Sequence, residues 1–296
     1  MDQLTICRTE DGSFTFTSGL YGEAFHSLSG ARAEAIYKFV VPSGIASRGE
    51  RGSVHILDVC FGLGYNTAAA LDCLADYPTC TVGVIGLENN LGVLEAAIRE
   101  NLLNIWSDRT QALLGELAAK LVLQQDCLQL RLIIADARQG IQQVPDQWAD
   151  AIFFDPFSPR RCPQLWTIDF CRLVANKLKP DGYIVTYSCA SAVRSVWQEL
   201  GLYLWAVEPL GRKSPGTIAS FCKEVIPERS RPLTAQEYAI LQTRAGIPYR
   251  DPQLQDTAEQ IIQRRQQEQK QSDRQTSSQW LKQNLKLMSN HQQIEV

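Results

Sequence analysis

Residues 53–66, Ser-Val-His-Ile-Leu-Asp-Val-Cys-Phe-Gly-Leu-Gly-Tyr-Asn, constrain this chain most. A largely apolar run of strand length ends at Asp58 and Val59, turns through two glycines, and leads into a segment with helical spacing from Asn66. Gly62 and Gly64 lack a Cβ, so the turn can take positive φ and bring its backbone close to a ligand. A strand, glycine turn and helix in that order commit the chain to a sheet whose strands end at a ligand site. The third glycine of G-x-G-x-x-G is absent, with Thr67 in its place, which argues against a dinucleotide.

Strand and helix signals alternate from residue 53 to 222, as expected for a mostly parallel sheet covered on both faces. Strands are predicted at Val54–Val59, Thr81–Leu87, Leu130–Ala135, Ala151–Phe154, Tyr183–Tyr187, Leu202–Val207 and Thr217–Phe221. Helices are predicted at Asn66–Ala75, Leu91–Leu102, Ala137–Val144, Gln164–Leu178 and Ala190–Leu200, with Pro180-Asp-Gly182 as a stop and turn. Seven strands with helices between most pairs, the last two as an antiparallel edge, match a class I S-adenosylmethionine-dependent methyltransferase fold (α/β, Rossmann-like) better than two mononucleotide-binding halves. Residues 104–127 read as a helical insertion.

Outside residues 51–226, residues 1–50 are expected to form a cap of short strands and one helix, Ala31–Val40, over the mouth of the site. Residues 227–296 form a Gln-rich tail, helical or partly disordered; Leu233–Tyr249 is apolar enough to dock, whereas Ile261–Ser272 is too polar to bury much. The tail carries ten basic and eight acidic side chains, so the net −3 of the chain divides into +2 there and −5 elsewhere. That balance excludes a strongly basic surface, and any nucleic-acid contact must come from a local patch. No run reaches membrane-spanning length and no signal peptide is read at the N-terminus, so the cytoplasm is the expected compartment. The nine cysteines are scattered without a C-x-x-C pair, so neither a disulfide framework nor a metal site is expected.

Acidic residues follow the strands in register. Asp58 precedes the glycine turn; Glu88 ends the second strand, placed to accept from both hydroxyls of a ribose; Asp136 follows the third, suited to an adenine amino group. The alternative is that each merely caps the next helix. Together with Phe61, Gly62, Gly64, Asn66 and Ala137 they form the candidate cofactor set, and the pattern points to S-adenosylmethionine. The fourth strand runs into Asp150-Ala-Ile-Phe-Phe-Asp-Pro-Phe-Ser-Pro159. Asp155 there can orient an amine nucleophile or take up its proton, and Phe157 can pack on a flat base. Arg160, Arg161, Arg212 and Lys213 lie on loops near the same rim, as phosphate contacts or simply as a solvated face.

With Asp11-Gly-Ser-Phe-Thr15, Tyr21-Gly-Glu-Ala-Phe-His-Ser27, Phe61-Gly-Leu-Gly-Tyr-Asn66, the 150–159 segment, Pro163-Gln-Leu-Trp166 and Gly211-Arg-Lys213, the chain resembles the MnmC-type tRNA methyltransferase family over roughly residues 11–222. The resemblance implies methyl transfer from S-adenosylmethionine to the aminomethyl group of 5-aminomethyl-(2-thio)uridine at the tRNA wobble position, with Asp155 catalytic and Tyr21 and His26 near the substrate. It also implies a stand-alone form, since residues 223–296 are too short and polar for the flavin-dependent oxidase domain of the bifunctional proteins. Pro156 stands where those proteins look to have Gly, and the Gln-rich tail has no counterpart. Two rival readings are an aminopropyltransferase resembling spermidine synthase and a non-catalytic RNA-binding protein on the same fold.

Overall fold

The structure, a computed structural model, describes residues 2–210, 214–224 and 227–291. Strands β1 (Leu4–Arg8), β2 (Phe14–Ser18) and β3 (Glu23–Ala24) make a small antiparallel sheet. The main sheet comprises β4 (Ser53–Val59), β5 (Thr81–Glu88), β6 (Val122–Gln125), β7 (Leu128–Ile134), β8 (Ala149–Phe154), β9 (Leu178–Thr186), β10 (Tyr203–Val207), β11 (Gly216–Ser220) and β12 (Ser230–Pro232). Their order is β12-β10-β11-β9-β8-β4-β5-β7-β6, with β7, β5, β4, β8 and β9 parallel and the outer strands antiparallel to their neighbours. From β4 the chain works outward through β5 and β7, then returns to β8 on the other side. The C-terminal ends of β4, β5 and β8 therefore meet where the strand order reverses, the place open α/β sheets use for ligands.

The seven expected strands are present, and each edge carries one more. Val122–Gln125, expected within a helical insertion, is a hairpin partner of β7 that follows the helix Asp108–Lys120. At the other edge, β12 lies beyond residue 227, where the tail was expected to begin, yet it pairs with β10. Pro180-Asp-Gly182 is no stop: it sits inside β9, where the register with β8 breaks between Ala149 and Ala151. A Cβ on Gly182 would stand 2.9 Å from the Asp150 carbonyl oxygen, so only glycine fits that irregularity.

β8 is buried along its whole length, and its alternating side chains feed two cores. Phe153 enters the core shared with the cap, facing Phe39, whereas Phe154 enters the opposite core. Phe154 meets Trp166 and Trp197 edge-on at 5.0 and 5.5 Å. Truncating a side chain so packed costs about 3–5 kcal/mol, which is what anchors the strand end that carries Asp155.

The cap helix starts as a short α-helix, Ala31–Glu34, and continues as a π-helix, Ala35–Val40. In the tail, the expected docking of 233–249 occurs, and Tyr249 bridges to Thr167. The polar segment after it buries little, as expected, and is held instead by hydrogen bonds. Helix Ala258–Gln271 buries Ile261 completely, and Arg264 and Arg265 donate to carbonyls of Arg250, Ile247 and Ala245. Hydrogen bonds to loop carbonyls substitute there for apolar area. Among the described residues, no helix is long and apolar enough to cross a membrane.

Candidate active site

At the strand-order reversal the cap and the sheet enclose a cavity of about 550 Å³. Its floor is the glycine turn. Gly62 and Gly64 take φ of +54° and +81°, and a Cβ on Gly64 would lie 2.8 Å from the Phe61 ring. No side chain fits at Gly64, and helix Tyr65–Leu74 starts from this turn.

Glu88, at the end of β5, ties the turn to its own loop. One carboxylate oxygen accepts from Gly62 N at 2.8 Å and the other from Asn89 N and Asn90 N, both at 2.9 Å. Burial raises its pKa, and these amide bonds oppose the rise. Asp58 lies under the turn, fully buried, accepting from the Thr67 hydroxyl at 2.7 Å with Oδ2, while Oδ1 has no protein partner. Burial pushes its pKa up to about 7. Asp136 caps helix Ala137–Gly140 through Arg138 N at 2.9 Å and pairs with the Arg138 guanidinium at 2.7 Å. Burial alone would raise its pKa, but the Arg138 bonds hold it below the usual value.

Asp155 follows β8 and accepts from Asn66 Nδ2 at 2.9 Å. Its pKa stands well above the ordinary carboxylate value, first through burial and then through the Glu34 carboxylate of the cap helix, with the Asn66 bond opposing. Glu34 shares the cavity wall; it accepts from Ser27 N at 2.6 Å and faces the buried Lys38 ammonium at 3.5 Å. The loop after Asp155 is held from three sides: Tyr187 donates to the Pro156 carbonyl, Trp166 Nε1 to the Phe157 carbonyl, and Ser158 N and Oγ to the Glu23 carboxylate. Above it, Tyr21 of the cap stacks on Phe157 at 4.3 Å, and Phe25 meets the same ring edge-on at 4.9 Å.

Of the expected cofactor residues, Phe61, Gly62, Asn66, Glu88, Asp136 and Ala137 line the cavity, while Asp58 and Gly64 support its floor from beneath. Tyr21, His26 and Phe157 also line it. His26 is a buried ring stacked on Tyr65 and hydrogen-bonded to Thr15, with its pKa lowered to about 4 by burial. Arg160 and Arg161 are exposed and outside the lining, and Arg212 and Lys213 lie outside the described residues. Sequence reasoning missed Glu34, Phe25, Arg138 and Cys60 in the wall. The Pro-x-x-Trp motif was a usable signal for the loop anchor Trp166, but nothing local marked Glu34 or Arg138.

The residues fit S-adenosylmethionine on structural grounds: a turn with glycine at 62 and 64, acids at two successive strand ends beside it, and a buried Asn66 oxygen in the cavity wall without a protein partner. Fold and site together define a class, enzymes that transfer a methyl group from S-adenosyl-L-methionine, and the profile described as an S-adenosyl-L-methionine-dependent methyltransferase matches residues 96–221. The solved structure of MNMC2 from Aquifex aeolicus superposes with a TM-score of 0.79 and 33% identity, covering 92% of this chain and 87% of that one. The chain belongs to the MnmC-type family of these methyltransferases.

An uncharacterized protein of Methanocaldococcus jannaschii, MJ0670, is 30% identical over 275 residues, 89% of this chain and 72% of that protein. The tRNA 5-methylaminomethyl-2-thiouridine biosynthesis bifunctional protein MnmC of Paraburkholderia phymatum is 26% identical over 73% of this chain. This chain spans about a third of that protein's length, 35%. The spermidine synthase of Thermotoga maritima, at 15% identity and a TM-score of 0.51, shares the fold alone.

Proposed function

We propose that the protein methylates the aminomethyl group of 5-aminomethyl-(2-thio)uridine at the wobble position of tRNA, in the cytoplasm, through contacts with the tRNA anticodon region. The observation that carries this reading is Asp155: a carboxylate held by Asn66 at 2.9 Å, in the same cavity as Glu88 and beneath the Tyr21–Phe157 stack. S-adenosylmethionine, when bound, supplies an electrophilic methyl group. Glu88 and the glycine turn would hold its ribose and backbone, with Asp136 and Ala137 at the adenine end. The aromatic rings would grip the uracil face, and the anchored loop 155–158 would help exclude water from the amine.

The amine arrives largely as an ammonium at neutral pH, although the attached uracil ring makes it less basic than the lysine amine. Asp155 would bind it as a carboxylate, because an adjacent cation favours the ionised form. Burial brings the two groups' proton affinities together, lowering the amine's and raising that of Asp155. Asp155 would then receive the ammonium proton and leave a neutral lone pair on nitrogen.

One observation favours the aminopropyltransferase reading. Among the described lining residues carboxylates dominate, with Asp2, Glu23, Glu34, Glu88, Asp136 and Asp155 against Arg138, and Arg160 and Arg161 do not line the cavity. Decarboxylated donor binding more tightly than S-adenosylmethionine would support that rival. The proposed function is tested by mass spectrometry of tRNA nucleosides from a strain lacking the protein. Accumulation of the 5-aminomethyl form with loss of the methylaminomethyl form is expected, and an unchanged nucleoside profile contradicts it.

A further inference from the structure

One arginine joins the adenine end of the cavity to the C-terminal segment. Arg138 lines the cavity and grips Asp136 with Nη2 at 2.7 Å and Nε at 3.2 Å from each carboxylate oxygen. Its remaining nitrogen, Nη1, donates to Asp251 Oδ2 at 2.9 Å and to the Asp256 carbonyl at 3.2 Å. Asp251 is fully buried. Its other oxygen closes a turn by accepting from Gln255 N and Asp256 N at 3.0 and 3.1 Å, and its own amide donates to Asp169 at 2.7 Å. Ile168 N donates to the Tyr249 carbonyl at 3.0 Å beside it, so the segment is pinned to the start of helix Ile168–Lys177.

A carboxylate with no solvent exposure is tolerated only when it is paired and hydrogen-bonded. Here the pairing cation is also the group that fixes Asp136. A guanidinium fork binding one carboxylate with each edge holds both rigidly, and lysine cannot reproduce that geometry. We propose that Asp251 is a positioning residue of the donor site: through Arg138 it sets Asp136 against the adenine, so that residues 249–257 complete the site and their docking is coupled to donor binding. Coupling of this kind is reciprocal, so bound donor must in turn hold the segment in place.

The test uses the full chain and two readouts besides activity. Calorimetry on Asp251→Asn and Arg138→Lys, each with binding stoichiometry determined, should give S-adenosylmethionine affinity reduced about tenfold, the size of a typical coupling. The preference for S-adenosylhomocysteine over its inosine analogue should shrink by a similar factor, which a general loss of stability would not produce. Unchanged affinity and base preference at full stoichiometry would overturn the proposal. Should either variant fail to fold, the wild-type protein decides: saturating S-adenosylhomocysteine is expected to slow tryptic cleavage at Arg250 and Arg264 several-fold. Cleavage there at the same rate with and without ligand would overturn the coupling. A wild-type protein that binds no donor at all would instead remove the assignment of the donor site.

Discussion

Asp58 gives a prediction whose size follows from its surroundings. Its carboxyl group has no exposed surface, one hydrogen bond from Thr67, and an oxygen with no protein partner. Burial raises its pKa from 3.8 to about 7. A carboxyl whose pKa is higher in the folded state binds its proton more tightly there. Its contribution to stability is therefore complete below pH 3.8 and is lost as pH rises through about 7. At 1.36 kcal/mol per pH unit the whole loss is about 4 kcal/mol, of which about 2–3 kcal/mol falls between pH 5 and pH 8. Asp58→Asn removes this titration and keeps the shape. Urea unfolding of both proteins across that range, without donor, should show wild-type stability falling relative to the variant by that amount. Asp58 repels the Glu88 and Asp155 carboxylates, so the difference curve reads the Asp58 titration together with the smaller shifts its loss causes in those two groups. Parallel stability curves from pH 5 to pH 8 would show that Asp58 does not titrate across this range in the folded protein.

Glu88→Gln places an amide where three backbone N–H groups point at a carboxylate, leaving at least one buried donor unpaired. A stability loss of about 1–3 kcal/mol is expected, together with at least tenfold weaker S-adenosylmethionine binding by calorimetry. Trp166→Phe removes the buried bond to the Phe157 carbonyl and should raise KM for tRNA several-fold in steady-state assays while leaving donor affinity unchanged. Arg160→Ala/Arg161→Ala tests whether these exposed side chains touch phosphates. If they do, the salt dependence of tRNA binding becomes shallower by about two in log–log slope; an unchanged slope marks them as solvated surface.

The centre of the fold was legible in the sequence because β4, β5, β8 and the glycine turn are specified by local chemistry. Continuous apolar runs and residues that need positive φ are visible without knowing their partners. The edges were not. Val122–Gln125 has only a short apolar stretch and Ser230–Pro232 has none, and both become strands because β7 and β10 offer unpaired backbone. Pro180-Asp-Gly182 reads as a turn in isolation, and only the crossing of β8 turns it into an irregularity within a strand.

The site divides in the same way. The acids at strand ends, and the aromatic pair Tyr21 and Phe157, could be found from their motifs, and the structure brings the latter into one stack. Glu34 and Arg138 escaped because their roles depend on long-range packing. The Arg138–Asp251 contact joins residues 113 apart in sequence. Arg160 and Arg161 were singled out by charge alone, which does not report whether a side chain faces a cavity or water.

The most direct measurement is a single-turnover reaction with wild-type protein and Asp155→Asn, each saturated with methyl-labelled S-adenosylmethionine and mixed with tRNA carrying 5-aminomethyluridine at the wobble position. Label in 5-methylaminomethyluridine is expected with the wild-type protein, and a rate about a hundredfold lower with Asp155→Asn at equal donor occupancy, as follows when proton handling is lost. Equal rates for the two proteins, or no label in that nucleoside from a donor-saturated wild-type protein, would contradict the proposed role of Asp155 and the proposed reaction respectively.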